Sequence, residues 1–295
     1  MNEALSQLAD DFFQNSLNSS PTSAIMRGYK EYFDQIEELT ETRFEQNLED
    51  LDKFEKRLNE IDFNSLSKKE KVTHGMLEYA FASNKDSLHD KSWEFGAGVS
   101  GFTGYLIDYN QQMFIPDLES GDLLLKRLEL YNQFFNQVSL VQKKGLDENR
   151  VATKRNILRT IDQIESYLKT SLDEDPLLLV NFSPKVSEKD ISSWKDKAKL
   201  IIESYVRPSV NSYLEQLKIA HLPKGRSDTN PGIMWIEGGE DIYLRSLRKF
   251  TGNKDITVQE VHETGLSEIE RLKKEFFEIG KNVFEDASTP EDVIY

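Results

Sequence analysis

The chain has 295 residues, 38% of them hydrophobic, which is enough to bury a sizeable core in one large domain or two smaller ones. Its 37 basic and 52 acidic residues give a net charge of −15, which repels phosphate backbones and anionic lipid, so we expect no nucleic acid and no membrane surface as partners. The absence of cysteine excludes disulfides, thiolate nucleophiles and cysteine-based zinc sites.

The N-terminal segment, MNEALSQLADDFFQNSL, carries acids where a signal peptide needs a basic start and an apolar run. Nor does any stretch approach the roughly 18 consecutive apolar residues of a membrane-spanning helix. The sequence therefore predicts a cytoplasmic protein.

Four segments place apolar residues every three or four positions, which is the spacing of a helix with one buried face. They are Leu48, Leu51, Phe54, Leu58 and Ile61; Leu124, Leu128, Tyr131, Phe135 and Val138; Ile157, Ile161, Ile164 and Leu168; and Trp194, Ala198, Ile201 and Tyr205. The last stripe continues past Pro208 to Leu217, and since proline kinks a helix, we expect a kinked long helix or two stacked ones there. No sustained alternation of period two is present, so the sequence predicts an all-α fold, a large multi-helix array.

Local signals mark helix starts and irregular connections. Ser67 with Glu70, and Thr257 with Glu260, have the spacing of capping boxes. Glycine, proline, asparagine and serine cluster in WEFGAGVSGFTGY, DEDPLLLVNFSPKVS and HLPKGRSDTNPGIMWIEGGE, which predicts Gly/Pro-rich connections. We expect one helical region over residues 1–295, with a sub-boundary near 173–187.

Two motifs are better explained as ordinary structure than as sites. GAGVSG matches GxGxxG through Gly96, Gly98 and Gly101, but no apolar strand precedes it, which favours a loop between helices over a dinucleotide site. Glu70, His74 and Glu78 recur at every fourth position, where a solvated charged face is favoured over a surface metal site.

Aromatic residues near the first helices have two interpretations. They are Tyr29, Tyr32, Phe33, Trp93, Phe95, Phe102, Tyr105 and Tyr109. Aromatics at helical spacing usually belong to a core, which we favour over a substrate groove.

The stretch VQEVHETGLSEIERL contains half of a zinc motif. In HExxH, two histidines four positions apart reach one metal from the same helix face. Here Leu266 occupies the position of the second histidine after His262, and leucine has no lone pair to offer. The chain therefore lacks the zinc motif, and we assign it no metal ligand and no catalytic residue.

Three segments and their spacing resemble the bacterial family known as domain of unknown function 885 (DUF885). They are LADDFFQNSLNSSPTSAIMRGY, LEDLDKFEKRLNEIDFNSLSKKEKVTHGML and GGEDIYLRSLRKFTGNKDITVQEVHETGLSEIERLKKE. The last is the most specific, since the family shows a glycine, a tyrosine, a threonine-rich link and a helix with His-Glu-x-Gly. The matching residues are Gly239, Tyr243, Thr257, His262, Glu263 and Gly265.

The resemblance implies a helical, oligopeptidase-like fold that forms one wall of a deep cleft with zinc at its floor. Family members carry HExxPGHH and a downstream carboxylate ligand, and neither occurs in this chain. The likeness thus corresponds to the N-terminal half of a family member, with zinc expected only in a full-length member and no cofactor in this chain.

The residues that match this last segment are our candidates for contact with a substrate cleft: Gly239, Tyr243, His262, Glu263 and Gly265. A glycine inside a helix costs roughly 1 kcal/mol relative to alanine, so Gly265 suggests the close approach of another backbone or a ligand. The alternative, which we favour, is that His262 caps or packs between helices and that Glu263 is solvated.

Two functions are consistent with these residues. The chain is either the N-terminal, non-metal-binding part of a zinc-dependent peptidase or a metal-free helical module that binds a peptide or protein. The ending DASTPEDVIY reads as the start of a helix, with Ser288 or Thr289 as N-cap and Pro290 at the first position. From this we expect an incomplete protein with exposed apolar surface on the cleft wall and a tendency to associate; its oligomeric state is not predicted.

Overall fold

The computed structural model of the chain describes residues 2–96, 109–284 and 289–294. These residues form two compact units, Met1–Glu237 and Gly238–Tyr295. The segment 173–187, where the sequence suggested a sub-boundary, lies within the first unit. At the start of the second unit, Gly238 has a φ of 70°, a left-handed conformation that glycine adopts without strain.

The all-α prediction is confirmed, since helices make up most of both units. The first unit contains α1 (Glu3–Ser19), α2 (Pro21–Met26), α3 (Glu41–Asn59), α4 (Lys68–Asp90), α5 (Leu118–Glu129), α6 (Tyr131–Asp147), α7 (Lys154–Lys169), α8 (Glu188–Ile201), α9 (Arg207–Gln216) and α10 (Leu222–Lys224). The second unit contains α11 (Gly239–Thr251), α12 (Val258–Gly280) and α13 (Glu291–Ile294). Short 3-10 turns lie at Lys30–Tyr32, Phe63–Ser65, Ser92–Glu94, Leu172–Glu174, Pro176–Leu178 and Ile233–Trp235.

Two short strands, β1 (Phe114–Ile115) and β2 (Asn181–Phe182), pair in parallel in the first unit. The backbone N–H of Asn181 donates to the Met113 carbonyl at 3.1 Å, and that of Ser183 donates to the Ile115 carbonyl at 2.8 Å. The sequence gives no sign of this pair, because two residues are too few to show an alternating pattern.

The predicted stripes form the core of the first unit. Leu51, Phe54 and Leu58 of α3 are buried with residues of α1 and α4 in a smaller cluster. The larger cluster is built mainly on α5 to α9. Its stripe from Leu124 to Val138 is buried throughout. Leu130 separates α5 from α6 but keeps right-handed helical dihedral angles, so the helical spacing of the stripe continues across the break. Full burial of one such side chain contributes about 1.5–3 kcal/mol.

The helical path runs through Pro208 as predicted, as two α-helices joined by a π-helical turn, and the register of the apolar stripe changes there. Residues Ile202–Val206 form a π-helical turn between α8 and α9, which inserts an extra residue into the helical repeat. As a result Ile202 and Val206 are buried, whereas Tyr205 of the predicted stripe is 45% exposed. A second π-helical turn, Leu217–His221, ends two residues before Pro223, just as the first ends two residues before Pro208.

Buried ion pairs hold the irregular connections in place. The Arg207 guanidinium donates to the Asp175 carboxylate through Nε at 3.2 Å and through Nη2 at 2.9 Å, with the Asp175 side chain fully buried. Arg127, whose side chain is buried, lies with Nη2 3.7 Å from the Glu37 carboxylate and also donates to the Thr22 hydroxyl and the Gln35 carbonyl. Because breaking a buried pair leaves an uncompensated charge, these contacts fix the loops strongly.

The aromatic residues follow the core interpretation where the structure describes them. Tyr32 and Phe33 are buried, and Tyr29 packs against the larger cluster. Trp93 stacks on Phe44 with the ring centroids 3.9 Å apart. Phe102, Tyr105 and the GAGVSG glycines Gly98 and Gly101 lie outside the described residues.

Candidate functional site

The start of α12 is fixed by the predicted capping box. The Thr257 hydroxyl accepts from the Glu260 backbone N–H at 3.2 Å, and the Glu260 carboxylate accepts from the Thr257 backbone N–H at 2.9 Å. The reciprocal bonds satisfy two N–H groups that have no partner within the helix. They place His262 and Glu263 in the second turn of α12. The equivalent capping box at Ser67 and Glu70 begins α4.

Gly239 and Tyr243 belong to the first turns of α11. Gly239 is the first residue of this helix and is buried, and it follows the left-handed Gly238. Tyr243, four positions later, is 42% exposed, so its hydroxyl-bearing ring is open to contact.

His262 and Glu263 are both exposed on α12. Glu263 accepts a hydrogen bond from the Gln259 side chain at 2.6 Å. Among the described residues, no hydrogen bond or ion pair joins Tyr243 to His262 or Glu263. These side chains are therefore surface groups of two helices, without the mutual contacts of an assembled catalytic centre.

Gly265 lies in open space within the described residues. A Cβ atom placed on it would meet no atom of them within 4 Å. The close approach by another backbone that the sequence suggested is thus not made by any described part of this chain.

An exposed apolar face is the largest feature of α12. Leu266, Ile269, Leu272, Phe276 and Ile279 are between 40% and 64% exposed and recur every three or four positions. Such spacing places them on one side of the helix, and His262 falls in line with them, four positions before Leu266. The sequence predicts exposed apolar surface without locating it, and although the spacing rule marks an apolar stripe on α12, it does not show that the stripe is exposed.

The C-terminal end of that face is covered locally. Thr289, two residues before helix α13, accepts at its hydroxyl from the Asp292 backbone N–H at 3.3 Å. This turn directs Val293 onto α12, where the valine side chain fills the space beside Gly280 that a Cβ atom would need. Gly280 is accordingly buried.

A metal ion does not fit the described side chains. Nowhere in residues 2–96, 109–284 and 289–294 do three or more His, Asp or Glu side chains group as ligands. His74 instead packs edge-on against Phe63 with the ring centroids 5.2 Å apart. We derive no catalytic step through a metal from this chain.

A buried carboxylate that the sequence did not single out lies in the first unit. Burial raises the pKa of Glu94, against the opposing effect of Arg150, whose Nε lies 2.7 Å from the carboxylate. Arg150 also donates to the backbone carbonyls of Glu237, at 2.7 Å, and Asp90. Because Arg150 binds these backbone carbonyls as well as Glu94, the pair connects three segments of the first unit. We therefore assign Glu94 a structural role and not that of a catalytic acid or base.

Comparison with solved structures shows a shared fold. The "putative lipoprotein from Colwellia psychrerythraea" superposes with a TM-score of 0.80 over 99% of this chain, at 14% sequence identity. The chain spans 54% of the length of that protein. Comparison with curated protein sequences finds no match.

No helix among the described residues is long and apolar enough to cross a membrane. The model of the family described as "Bacterial protein of unknown function (DUF885)" matches residues 21–294, nearly the whole sequence. The chain therefore belongs to the DUF885 family.

Proposed function

We propose that the chain forms one wall of a peptide-binding cleft in a larger, peptidase-like helical protein. The observation that carries this proposal is the surface of α12, where the exposed His262 stands at the start of a long exposed apolar face and the exposed Glu263 lies beside that start. A peptide offers apolar side chains together with backbone N–H and C=O groups, and a surface of this composition has partners for both.

The five candidate residues have distinct roles in this proposal. Glu263 accepts hydrogen bonds from peptide N–H groups, and His262 and Tyr243 offer ring N–H and hydroxyl groups to peptide carbonyls. Gly265 leaves room beside His262 for a ligand backbone. Gly239, which is buried, positions the start of α11 and thereby Tyr243. The groups that cut the peptide belong to the part of the protein that this chain does not span.

A second candidate is a metal-free helical module that binds a peptide or protein without cutting it. The exposed face of α12 supports this function equally, because binding alone needs no further groups. The reading frame of the gene distinguishes the two candidates. A frame that encodes an HExxH helix downstream supports the peptidase, and one that encodes none supports the binding module.

Peptide binding is measured by fluorescence anisotropy with fluorescein-labelled peptides from a casein digest. We expect saturable binding to the 295-residue chain and about tenfold weaker binding for H262A and for E263Q, because a lost hydrogen bond to a ligand costs on the order of 1.5 kcal/mol.

Lys274→Ala is the matched control for these variants, because Lys274 lies on the same side of α12 as Glu263 but about 16 Å further along the helix. It should leave the affinity unchanged. Absence of saturable binding, or equal weakening by the control, would refute the proposal.

A further inference from the structure

A groove in the first unit is lined mainly by neutral polar side chains. It is formed by residues of α1, α3 and α4, together with residues of α2 and of the 3-10 turn Ser92–Glu94, and has a volume of about 400 Å³. Volumes of roughly 300–1,000 Å³ are typical of sites that bind small molecules. The groove therefore has the size of a small-ligand site.

The chemistry of this lining differs from that of the chain as a whole. Among the described residues, six serines and three asparagines line the groove with a single charged side chain, Arg27, and with no aspartate or glutamate. In the whole sequence, by contrast, acids make up 52 of 295 residues. The groove is thus a region without acids on an acidic protein, and its one charge is positive.

Arg27 is available to an anionic ligand. Its side chain is exposed, and its guanidinium carbon lies 6.0 Å from the centre of the Phe13 ring. Within the described part of the chain, no carboxylate forms an ion pair with it. A guanidinium binds a carboxylate through two parallel hydrogen bonds, so this residue supplies a site for one carboxylate group.

The small polar side chains of the groove bond to one another only in part. The Ser19 hydroxyl donates to Asn47 Oδ1 at 3.4 Å, and the Ser20 hydroxyl donates to that of Ser23 at 3.0 Å. These bonds leave the Nδ2 hydrogens of Asn47 and several hydroxyl lone pairs for a ligand. Hydroxyl and amide groups both donate and accept, as a ligand with hydroxyls on successive carbons requires.

The apolar part of the lining is held in place by the core. Leu51 belongs to the smaller core cluster, against which Phe12 and Leu88 pack. Trp93 is half-buried at the groove, and its indole is fixed by the stack on Phe44. A sugar ring has C–H groups on its faces and hydroxyls at its rim, so aromatic side chains beside hydroxyl and amide groups match both parts of it.

We propose that this groove binds a small sugar acid, a monosaccharide or disaccharide whose carboxylate pairs with Arg27 and whose hydroxyls bond to the serines and asparagines. The site is separate from the peptide contacts of the proposed function and does not depend on them. One arginine matches one carboxylate, whereas the several phosphates of a nucleotide would meet a single cation in a chain of net charge −15. A peptide backbone offers only one donor and one acceptor per residue, fewer polar groups than this lining can pair.

The test measures sugar binding to the 295-residue chain by saturation-transfer difference NMR titrations. The probes are D-glucuronate, and D-glucose as the neutral sugar of the same ring configuration. We expect saturable binding of both, with glucuronate bound about tenfold more tightly, because only its carboxylate forms charge-assisted hydrogen bonds with Arg27.

Variants assign the two parts of the site. Arg27→Gln should weaken glucuronate binding about tenfold and leave glucose binding unchanged. Asn47→Leu, which keeps the approximate shape of the side chain but removes its amide, should weaken the binding of both sugars. Arg159→Gln removes the same charge from an exposed position on α7 and is the matched control, which should change neither affinity. Circular dichroism verifies that each variant is folded.

Three results would overturn the proposal. They are the absence of saturable glucuronate binding, equal affinity for glucuronate and glucose, and equal weakening of glucuronate binding by Arg27→Gln and Arg159→Gln. An acetylated dipeptide with a free carboxylate serves as a competitor, and its binding in preference to both sugars would assign the groove to peptide ends instead. His262→Ala and Glu263→Gln should bind glucuronate like the wild-type chain, so failure of the proposed peptide binding is distinguishable from failure of this site.

Discussion

Two helical glycines show how the same residue type serves opposite purposes. A Cβ atom at Gly145 of α6 would overlap the backbone carbonyl oxygen of Glu94 and lie 2.9 Å from its carbonyl carbon. Glu94 is held by its ion pair with Arg150, so its backbone has little freedom to move away. At Gly265 of α12 the same atom would enter open space.

We therefore predict opposite effects of alanine at these two positions. Gly145→Ala should lower the free energy of unfolding by about 1–3 kcal/mol through overpacking. Gly265→Ala should raise helix stability by up to about 1 kcal/mol, because it restricts the unfolded chain and adds no clash.

Hydrogen exchange of α12 and urea denaturation of the 295-residue chain measure the two effects. A lower stability for Gly265→Ala would show that some part of this chain approaches α12 closely after all. An unchanged stability for Gly145→Ala would show that the Glu94 backbone moves freely.

His221 makes the stability of the first unit depend on pH. It is buried in the π-helical turn after α9, with its Nδ1 atom 3.3 Å from the Gln216 carbonyl. Burial lowers the pKa of His221 from its ordinary value of 6.5. The unfolded chain therefore binds a proton at a higher pH than the folded chain does, and this contribution to stability is lost as the pH falls below about 6.5.

The prediction is that the free energy of unfolding falls between pH 7.5 and 5.5 more in the wild-type chain than in His221→Gln. The difference cannot exceed about 1.4 kcal/mol per pH unit for one proton. Urea titrations of both proteins at several pH values measure it. Parallel pH profiles for the two proteins would contradict this role of His221.

At the scale of single helices, apolar periodicity predicts that a helix exists more reliably than it predicts which of its residues are buried. In the stripe that starts at Leu48, Leu51, Phe54 and Leu58 are buried as predicted and Leu48 is half-buried, because nothing interrupts the 3.6-residue repeat in α3. The stripe from Trp194 is correct through Ala198 and then moves by one position, to Ile202 and Val206. No periodic pattern reveals such an insertion before the contacts are known.

The two π-helical turns have a common physical context. Each ends two residues before a proline, Pro208 or Pro223, at the point where the helix loses a backbone donor and meets the proline ring. A wider turn there accommodates the ring and keeps the long helical path unbroken. The prolines mark both places in the sequence, but no local pattern there predicts the extra residue.

Short-range hydrogen bonds were the most predictable details of the elements. Both capping boxes were predicted, because each needs only two side chains three positions apart. The parallel pairing of β1 with β2 was not predicted, since its partners are more than sixty residues apart and each strand is only two residues long.

For the molecule as a whole, the sequence predicted the fold class and the family but not the division of the chain. The boundary at Gly238 carries a signal in the Gly-Gly pair, yet the same composition occurs in several other connections. The candidate site was predicted as residues on helices. Its exposed apolar setting on α12 required the structure, because spacing alone does not say what covers a stripe.

The composition of the whole chain also limits its chemistry. Zinc sites in peptidases use three protein ligands, and HExxH supplies two of them from one helix turn. This chain has four histidines and no cysteine. Of the four, His221 is buried between helices and His74 packs on Phe63, while Leu266 stands where His262 would need a second histidine. The described acids do not group with the histidines as a substitute.

We therefore predict that the 295-residue chain holds less than stoichiometric zinc and does not hydrolyse peptides. Metal analysis after dialysis and a casein-peptide cleavage assay, with and without a chelator, measure both properties. A control protein with a zinc-bound HExxH site verifies that the dialysis and the assay preserve such a metal. One tightly held zinc per chain, or cleavage that the chelator abolishes, would contradict the prediction. Either result would show that this chain contains a set of zinc ligands. Binding of the same peptides without cleavage is the expected result, because α12 presents contact groups and an apolar face but no activated nucleophile.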